Sequence, residues 1–392
     1  MTTATYTKEK SRILITCPKG IVPYLAEEVR SLGLPVLEER IAAVETDGTL
    51  HDAMRLNLHL RTGHRVLFLV RTFKAGTPDE LYRKLTGIGW EDYIEADGYV
   101  SVTASVENPT IKDSRFAGLK CKDAIVDRIK MKRGRRPDSG PEKRGAAVFL
   151  YWRESACSVY LDTTGEPLAR RGYRKIPLQA PMQETLAAAV VLASGWKGEG
   201  PFINPMCGSG TLAIEAALIG LNKAPGLLRS RYAFQHLIGF DAEAWQSMRR
   251  KARAEARREP AGVIIASDIS PDAVKAARQN AKTAGVDHLM EFRVCDFRET
   301  PIPAGGGIIM LNPEYGKRMG ELNRLADIYK GIGDFFKQKG MGCRGYIFTG
   351  NFDLAKKVGL RTRRRIPFFN GEIECRLLEY DLYAGTRKDP AA

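Results

Sequence analysis

A chain of 392 residues, 44% hydrophobic and 27% charged, is long enough for two or three ordinary domains and has a globular composition. It contains no run of about 18 uninterrupted apolar residues, so no membrane-spanning helix is expected, and its polar, basic start MTTATYTKEKSR does not read as a secretory signal. Seven cysteines without a C-x-x-C pair suggest neither a zinc site nor a disulfide scaffold, hence a reduced, cytoplasmic protein without metal, while a net charge of +15 favours a nucleic acid or an anionic membrane as partner.

After a loose tail, RILITCPKGIVPYLAEEVRSLGL predicts a strand, a turn and a helix with Pro23 near its start and Leu25, Val29 and Leu32 on one face. AAVETDG predicts a strand ending in an Asp-Gly turn, and the stretch from Thr49 to Val70 a helix followed by a strand. These make a small α+β unit over 11–73. A second unit, 74–165, holds the alternating strand YVSVTASV and the helix CKDAIVDRIKMKRG. In that helix Ala124, Ile125 and Ile129 face inward. The basic loop RGRRPDSGPEKRG and two further strands follow. Between Asn108 and Lys175 stand 17 Lys and Arg against 8 Asp and Glu. About a sixth of the chain thus carries over half the net charge, as suits phosphate contacts. In the third unit, 166–388, strand-like runs (202–204, 263–267, 291–294, 308–311 and 345–348) alternate with helical ones, which predicts a parallel sheet covered by helices on both faces.

The first strand of the third unit leads into NPMCGSGTLAIEAA. Gly208, Ser209 and Gly210 make a tight turn into a helix starting near Thr211, where a ligand can approach backbone. The next strand ends in SDIS, with Asp268 placed for ribose hydroxyls, and a further strand ends in VCDFRE, with Asp296 near an adenine edge. Both a P-loop and the third glycine of G-x-G-x-x-G are absent, so a nucleoside ligand lacking a pyrophosphate fits better; S-adenosylmethionine is one.

These blocks, with NPEYG at 312–316, resemble class I methyltransferases. LDTTGEPLARRGYR and APMQETLAAA resemble more specifically the THUMP-domain RNA methyltransferases related to the 23S rRNA guanine-N2 methyltransferase RlmL. The likeness runs in order over nearly the whole chain, including CPKG, LNLHLRTGHRVL and NGEIECRLLEYDL. It implies an α/β protein with a C-terminal Rossmann-like methyltransferase domain behind N-terminal ferredoxin-like and THUMP domains. It also implies that Cys207, Gly208, Ser209 and Gly210 bind the methionine part of S-adenosylmethionine, Asp268 its ribose and Asp296 its adenine. Gln183, Glu184 and Thr185 match the helix that closes over the methionine end. By likeness to N-P-P-Y, the Asn312 amide oxygen and the Pro313 carbonyl accept the hydrogens of a base amine while Tyr315 stacks on a flipped base.

Two positions depart from the family pattern: Asn204 replaces an aspartate before the glycine loop, and Glu314 replaces the second proline. A carboxylate at 314 can accept from guanine N1–H and N2–H together, which favours guanine over adenine. The basic runs predict RNA contacts at Lys130, Lys132, Arg133, Arg135 and Arg136, and at Arg170, Arg171 and Arg174. The expected activity is guanine-N2 methylation of 23S rRNA. The alternatives are the same chemistry on tRNA, or an RNA-binding THUMP protein whose catalytic domain the two departures have silenced.

Overall fold

A computed structural model of the chain describes residues 8–108, 111, 113–176, 182–315 and 319–383. Two units emerge. The first holds the described residues up to Cys17, those of Leu25–Arg170, and Pro225–Ala252. The second holds Pro18–Tyr24 and the described residues of Arg171–Ala224 and from Arg253 onward.

In the first unit the order is β1 (Ser11–Thr16), α1 (Val22–Ser31), β2 (Glu38–Arg40), β3 (Ala43–Gly48), α2 (Leu50–His59) and β4 (Arg65–Lys74). Then come α3 (Pro78–Thr86), β5 (Tyr99–Glu107), α4 (Ser114–Arg133), β6 (Asp138–Ser139), β7 (Ala146–Arg153) and β8 (Ala156–Asp162). One eight-stranded sheet results, ordered β2-β3-β1-β4-β8-β7-β5-β6. The period-2 pattern of β1 puts Ile13 and Ile15 in the core. Asp47 and Gly48 do not turn the chain: they are the last residues of β3, paired with Arg12 and Ser11. The turn comes from Thr49, which caps α2 in a reciprocal box with Asp52. Asp113 caps α4, and Gly134, at φ +73°, ends it; Ala124, Ile125 and Ile129 line its buried face.

β8 runs into a polar knot. Asp162 Oδ1 accepts from the backbone N–H groups of Thr164 and Gly165 at 3.0 and 3.1 Å. The hydroxyls of Thr163 and Thr164 bond the buried side chain of Asn57 at 2.8 and 2.7 Å. Residues 225–252 join this unit: Phe234 N donates to Thr163 O at 3.1 Å, and the Arg229 guanidinium donates to the carbonyls of Pro167 and Glu166 at 2.8 and 2.7 Å. Trp245 is buried edge-on against Tyr232 and Phe234. Residues 166–170 and 225–252 therefore group with the first unit, although the alternating pattern reads them into the third. The tethers that place them are backbone and side chain–carbonyl bonds between stretches distant in sequence, which no periodicity reveals.

The second unit contains α5 (Glu184–Ala193), β9 (Phe202–Pro205) and α6 (Thr211–Gly220). After α7 (Ala242–Ala254), most of which lies in the first unit, follow β10 (Ile264–Asp268), α8 (Pro271–Ala284), β11 (Met290–Val294) and β12 (Gly307–Leu311). The chain goes on through α9 (Met319–Lys339), β13 (Cys343–Thr349), α10 (Phe352–Lys356), β14 (Arg364–Asn370) and β15 (Ile373–Asp381). The sheet order is β11-β10-β9-β12-β13-β15-β14. The five strands from β11 to β13 are parallel, and the β14–β15 hairpin closes one edge antiparallel. Ile203, Ile265, Ile309 and Leu311 bury against Phe335, Phe336 and Tyr380. The chain leaves β9 toward β10 and β11 and later returns to β12 on the other side. The carboxyl ends of β9 and β12 therefore flank a topological switch point, where open α/β sheets bind their ligands. Among the described residues no helix is long and apolar enough to cross a membrane, and no group of three His, Cys, Asp or Glu is arranged to hold a metal ion.

Candidate active site

β9 ends in Asn204-Pro205, and the chain then turns through Met206, a non-glycine residue at φ +62°, into the glycine loop. Such a backbone costs about 1 kcal/mol or more and persists only where its surroundings hold it. Cys207 N donates to Ser267 O at 2.8 Å and Gly210 N to Cys207 O at 2.9 Å. Gly210, at φ +83°, passes so close to α8 that a Cβ there would stand 2.9 Å from that of Ala277. Asp268 Oδ2 accepts from Gly208 N at 2.9 Å and its Oδ1 from Ser270 N at 3.0 Å. The carboxylate thus tethers the loop and keeps further lone pairs for a ligand. Burial pushes the Cys207 thiol far above its ordinary range, so it carries no thiolate. Asn280, fully buried on α8, donates to Ser209 O at 3.1 Å and accepts from Lys175 N at 2.9 Å. Its sequence signal is a lone amide among Ala273, Ala276, Ala277, Ala281 and Ala284.

Asn204 is wholly buried. Its Nδ2 donates to Met310 O of β12 at 2.8 Å, which no aspartate could do, and its Oδ1 has no hydrogen-bond partner among the described residues. Thr185 Oγ1, on the first turn of α5, is likewise buried without a partner. Asp296 lies at the end of β11. It caps the short 3₁₀ turn after it by accepting from Arg298 N at 2.9 Å and also pairs with the Arg298 guanidinium.

Two of the arginines expected to meet RNA do not face solvent. Arg171 is 1% exposed, with Nε 2.9 Å from Glu215 Oε1 on α6, and Tyr173 donates to the same oxygen at 2.9 Å. Burial, and then the Glu215 charge, push the Tyr173 phenol well up. Arg174 Nη2 donates to Met182 O at 2.6 Å and to Thr211 Oγ1 at 3.3 Å, and lies 3.4 Å from Glu184 Oε2. Both residues, with Glu184, bind the linker to α5 and α6, so their charge serves the fold and the loop. Arg170 is exposed and pairs with Glu166.

β12 delivers the Asn-Pro-Glu-Tyr segment beside β9. Asn312 Oδ1 is buried without a hydrogen-bond partner among the described residues, two residues beyond the carbonyl that Asn204 holds. Tyr315 is half-buried, and Asn370 Nδ2 donates to its phenol oxygen at 2.9 Å. The expectation for Glu314 is corrected. Its side chain is 75% exposed and pairs with Arg324 at 2.9 Å, so water and a surface cation take the lone pairs that were to read guanine. Glu314→Gln is therefore expected to leave the product nucleoside and the transfer rate unchanged, and to alter stability by less than about 1 kcal/mol. Nucleoside analysis of the methylated product and a melting curve check this.

Residues 171–379 match the family described as RMKL-like, methyltransferase domain. The chain belongs to that family. Residues 12–67 match the RlmL ferredoxin-like domain and 75–162 the THUMP domain. A ribosomal RNA large subunit methyltransferase K/L of Syntrophotalea carbinolica is 38% identical over 381 residues, 95% of this chain and 53% of that protein. This chain thus spans about half the length of that relative. A Synechocystis protein, named provisionally as an RNA methyltransferase, is 35% identical over 94% of this chain and 96% of its own. Among solved structures, SMU.472, provisionally a methyltransferase and complexed with SAH, superposes with a TM-score of 0.86 at 27% identity, covering 97% of this chain and all of that one. A predicted N6-adenine-specific DNA methylase of Listeria monocytogenes gives 0.86 at 29% identity, over 95% and 96%.

The cofactor of this family is S-adenosylmethionine, and the residues present fit it. The buried oxygens of Thr185 and Asn204 are acceptors suited to an ammonium group. Beside Gly208 a Cβ would meet nothing within 4 Å. Ile269, which the sequence reading passed over, follows Asp268 and is 71% exposed, an apolar face beside a carboxylate. In the first unit Lys130, Lys132, Arg133 and Arg135 are exposed at the end of α4 and just beyond it, while Arg136 lies within 4 Å of both Asp123 and Asp127.

Proposed function

We propose that the protein transfers a methyl group from S-adenosylmethionine to RNA, at the exocyclic N2 of a guanine in large-subunit rRNA. The observation that carries this is Asn312 Oδ1, a buried acceptor without a partner among the described residues, at the end of β12 and beside the strand that bears the glycine loop. An unpaired buried acceptor costs about 1–3 kcal/mol, and a substrate N–H is the kind of group that offsets it. The domains we assign are 11–73, 74–165 and 166–388, the last without residues 166–170 and 225–252, which group with the first unit, and the middle one holding RNA.

The cofactor, when bound, supplies an electrophilic methyl group on a sulfonium. The chain's own residues bind, orient and shield. Cys207 to Gly210, Asp268, Asp296, Thr185 and Asn204 would hold the cofactor, with Ile269 against its base. Asn312 Oδ1 and the Pro313 carbonyl would accept the two hydrogens of the target amine. That turns a lone pair otherwise delocalised into the ring toward the methyl carbon, so catalysis here is chiefly positioning. Tyr315 offers a ring for the flipped base. The cationic end of α4 would meet phosphates, and charge there lends affinity rather than sequence choice.

The test incubates the protein with methyl-labelled S-adenosylmethionine and separate pools of unmodified rRNA and tRNA, and analyses the nucleosides by mass spectrometry. N2-methylguanosine in rRNA is the expected product; no methylated nucleoside in either pool would defeat the proposal. Replacing Lys130, Lys132, Arg133 and Arg135 together by Ala is expected to weaken RNA binding and to lower its log–log salt slope by about 3. A titration at several salt concentrations measures that slope.

A further inference from the structure

We propose that Asn370, at the tip of the β14–β15 hairpin, is a positioning residue that fixes the plane of the Tyr315 ring through its phenol oxygen. The inference rests on the role given above to the Asn312–Tyr315 segment.

Tyr315 is clasped by three stretches that are distant in sequence. Its Oη accepts from Asn370 Nδ2 at 2.9 Å, and the Cys375 thiol, buried on β15, is another polar neighbour of the phenol. Its carbonyl accepts from Asn351 Nδ2 at 3.3 Å. Its ring lies along Gly350, where a Cβ would come within 3.2 Å of Cδ2 and Cε2 and 2.9 Å of Ile373 Cγ2. The amide of Asn351 cannot be reversed, because its Oδ1 already caps α10 by accepting from Leu354 N at 3.0 Å. Thr349 braces it from behind, its Oγ1 accepting from Asn351 N at 3.1 Å and bonding Tyr329 Oη at 2.7 Å.

A phenol engaged in this way is not placed to exchange protons with a substrate. What remains is the ring, and phenylalanine would offer the same π-face. The hydroxyl is therefore a handle. Held by Asn370, it sets the tilt of the surface on which a base rests, and so the base's distance from Asn312 Oδ1 three residues earlier. Small misplacements of a reacting group are costly where positioning is the main source of rate.

The experiment is a double-mutant cycle on the full chain. Asn370→Leu keeps the branched shape but can neither donate to the phenol nor accept from it. Tyr315→Phe keeps the ring but removes the oxygen. Asn370→Ala is the second way of cutting the bond. Single-turnover transfer to rRNA is measured with RNA and cofactor saturating, alongside cofactor affinity and melting temperature. Each single variant is expected to slow transfer roughly 5-fold, the double no more than either single, with cofactor affinity unchanged. Independent losses that multiply, or wild-type rates in both Asn370 variants, would overturn the inference. So would a fall in melting temperature without a change in rate, since it would make Asn370 a hairpin residue only. A wild-type protein that transfers nothing to RNA would defeat the functional reading, and this inference with it; an active wild type with multiplying losses defeats the inference alone.

Discussion

Asn312→Ala is expected to slow methyl transfer by about a hundredfold or more while leaving the protein no less stable. The two halves of that result share one cause. Asn312 Oδ1 is buried and has no hydrogen-bond partner among the described residues, so in the free protein it is a burden on the fold. Truncation removes the burden and leaves a small cavity, and the two effects roughly cancel. In the complex the same oxygen would orient the amine, and nothing else in the segment can replace it: Glu314 is turned to Arg324, and the phenol of Tyr315 is taken up by Asn370. Cofactor affinity should not change, because the loop that would bind it hangs on Asp268, Ser267 and Asn280. Single-turnover transfer, calorimetric binding of S-adenosylmethionine and a urea melt separate these quantities. A transfer rate close to wild type would remove Asn312 from the reaction. A large loss of stability would mean that the side chain serves the fold.

Much of this arrangement is written locally. The runs that become β9, β10, β12 and β13 are short and largely apolar, while β11 (MEFRV) is mixed and only a three-residue 3₁₀ turn, Phe297–Glu299, stands between it and β12. The turn at Gly208 and Gly210 is legible because backbone at φ +55° and +83° selects for glycine. The helix start at Thr211 and the acids at 268 and 296 follow from where strands end. What stayed hidden are side chains whose partners lie far away in sequence. Asn280 holds Ser209, and Asn370 holds Tyr315, across 71 and 55 residues. Asn370 does not differ in sequence from an amide that faces solvent, and Asn280 differs only by the alanines around it. The arginines show the same limit from the other side. A run such as ARRGYR reports charge but not where each charge ends, and Arg171 ends inside the protein against Glu215. The antiparallel edge was signalled only by Asn370-Gly371, and the return of residues 225–252 to the first unit left no periodic trace. Asn204 reads as a defect beside an expected aspartate. In three dimensions its Nδ2 ties β9 to β12, a bond that only an amide can make from that position.

Glu215→Ala is expected to destabilise the second unit by about 3–5 kcal/mol, more than any surface charge change in the molecule. Arg171 and Glu215 are 1% and 0% exposed, and the Tyr173 hydroxyl bonds the same carboxylate oxygen that faces the guanidinium. Taking two charges out of water is costly, and mutual attraction repays it only while both are present. Without the carboxylate, Arg171 keeps its charge in a dry place without this counter-charge, and Tyr173 loses its acceptor. Glu215→Gln should fall in between, since the amide oxygen can still accept from Tyr173 while the charge is gone. Replacing both partners at once, Arg171→Met with Glu215→Leu, should cost less than Glu215→Ala alone, because nothing charged is left stranded. Urea unfolding of the three variants measures this. A double variant at least as destabilised as Glu215→Ala would mean that the two residues do not act as a pair. The effect should also reach the site. Glu215 sits on α6, the helix that the glycine loop opens, and Arg171 leads to Arg174, which donates to Thr211 at the start of that helix. Weaker cofactor binding is therefore expected in Glu215→Ala under conditions where it is still folded, although no atom of Glu215 is assigned to the cofactor.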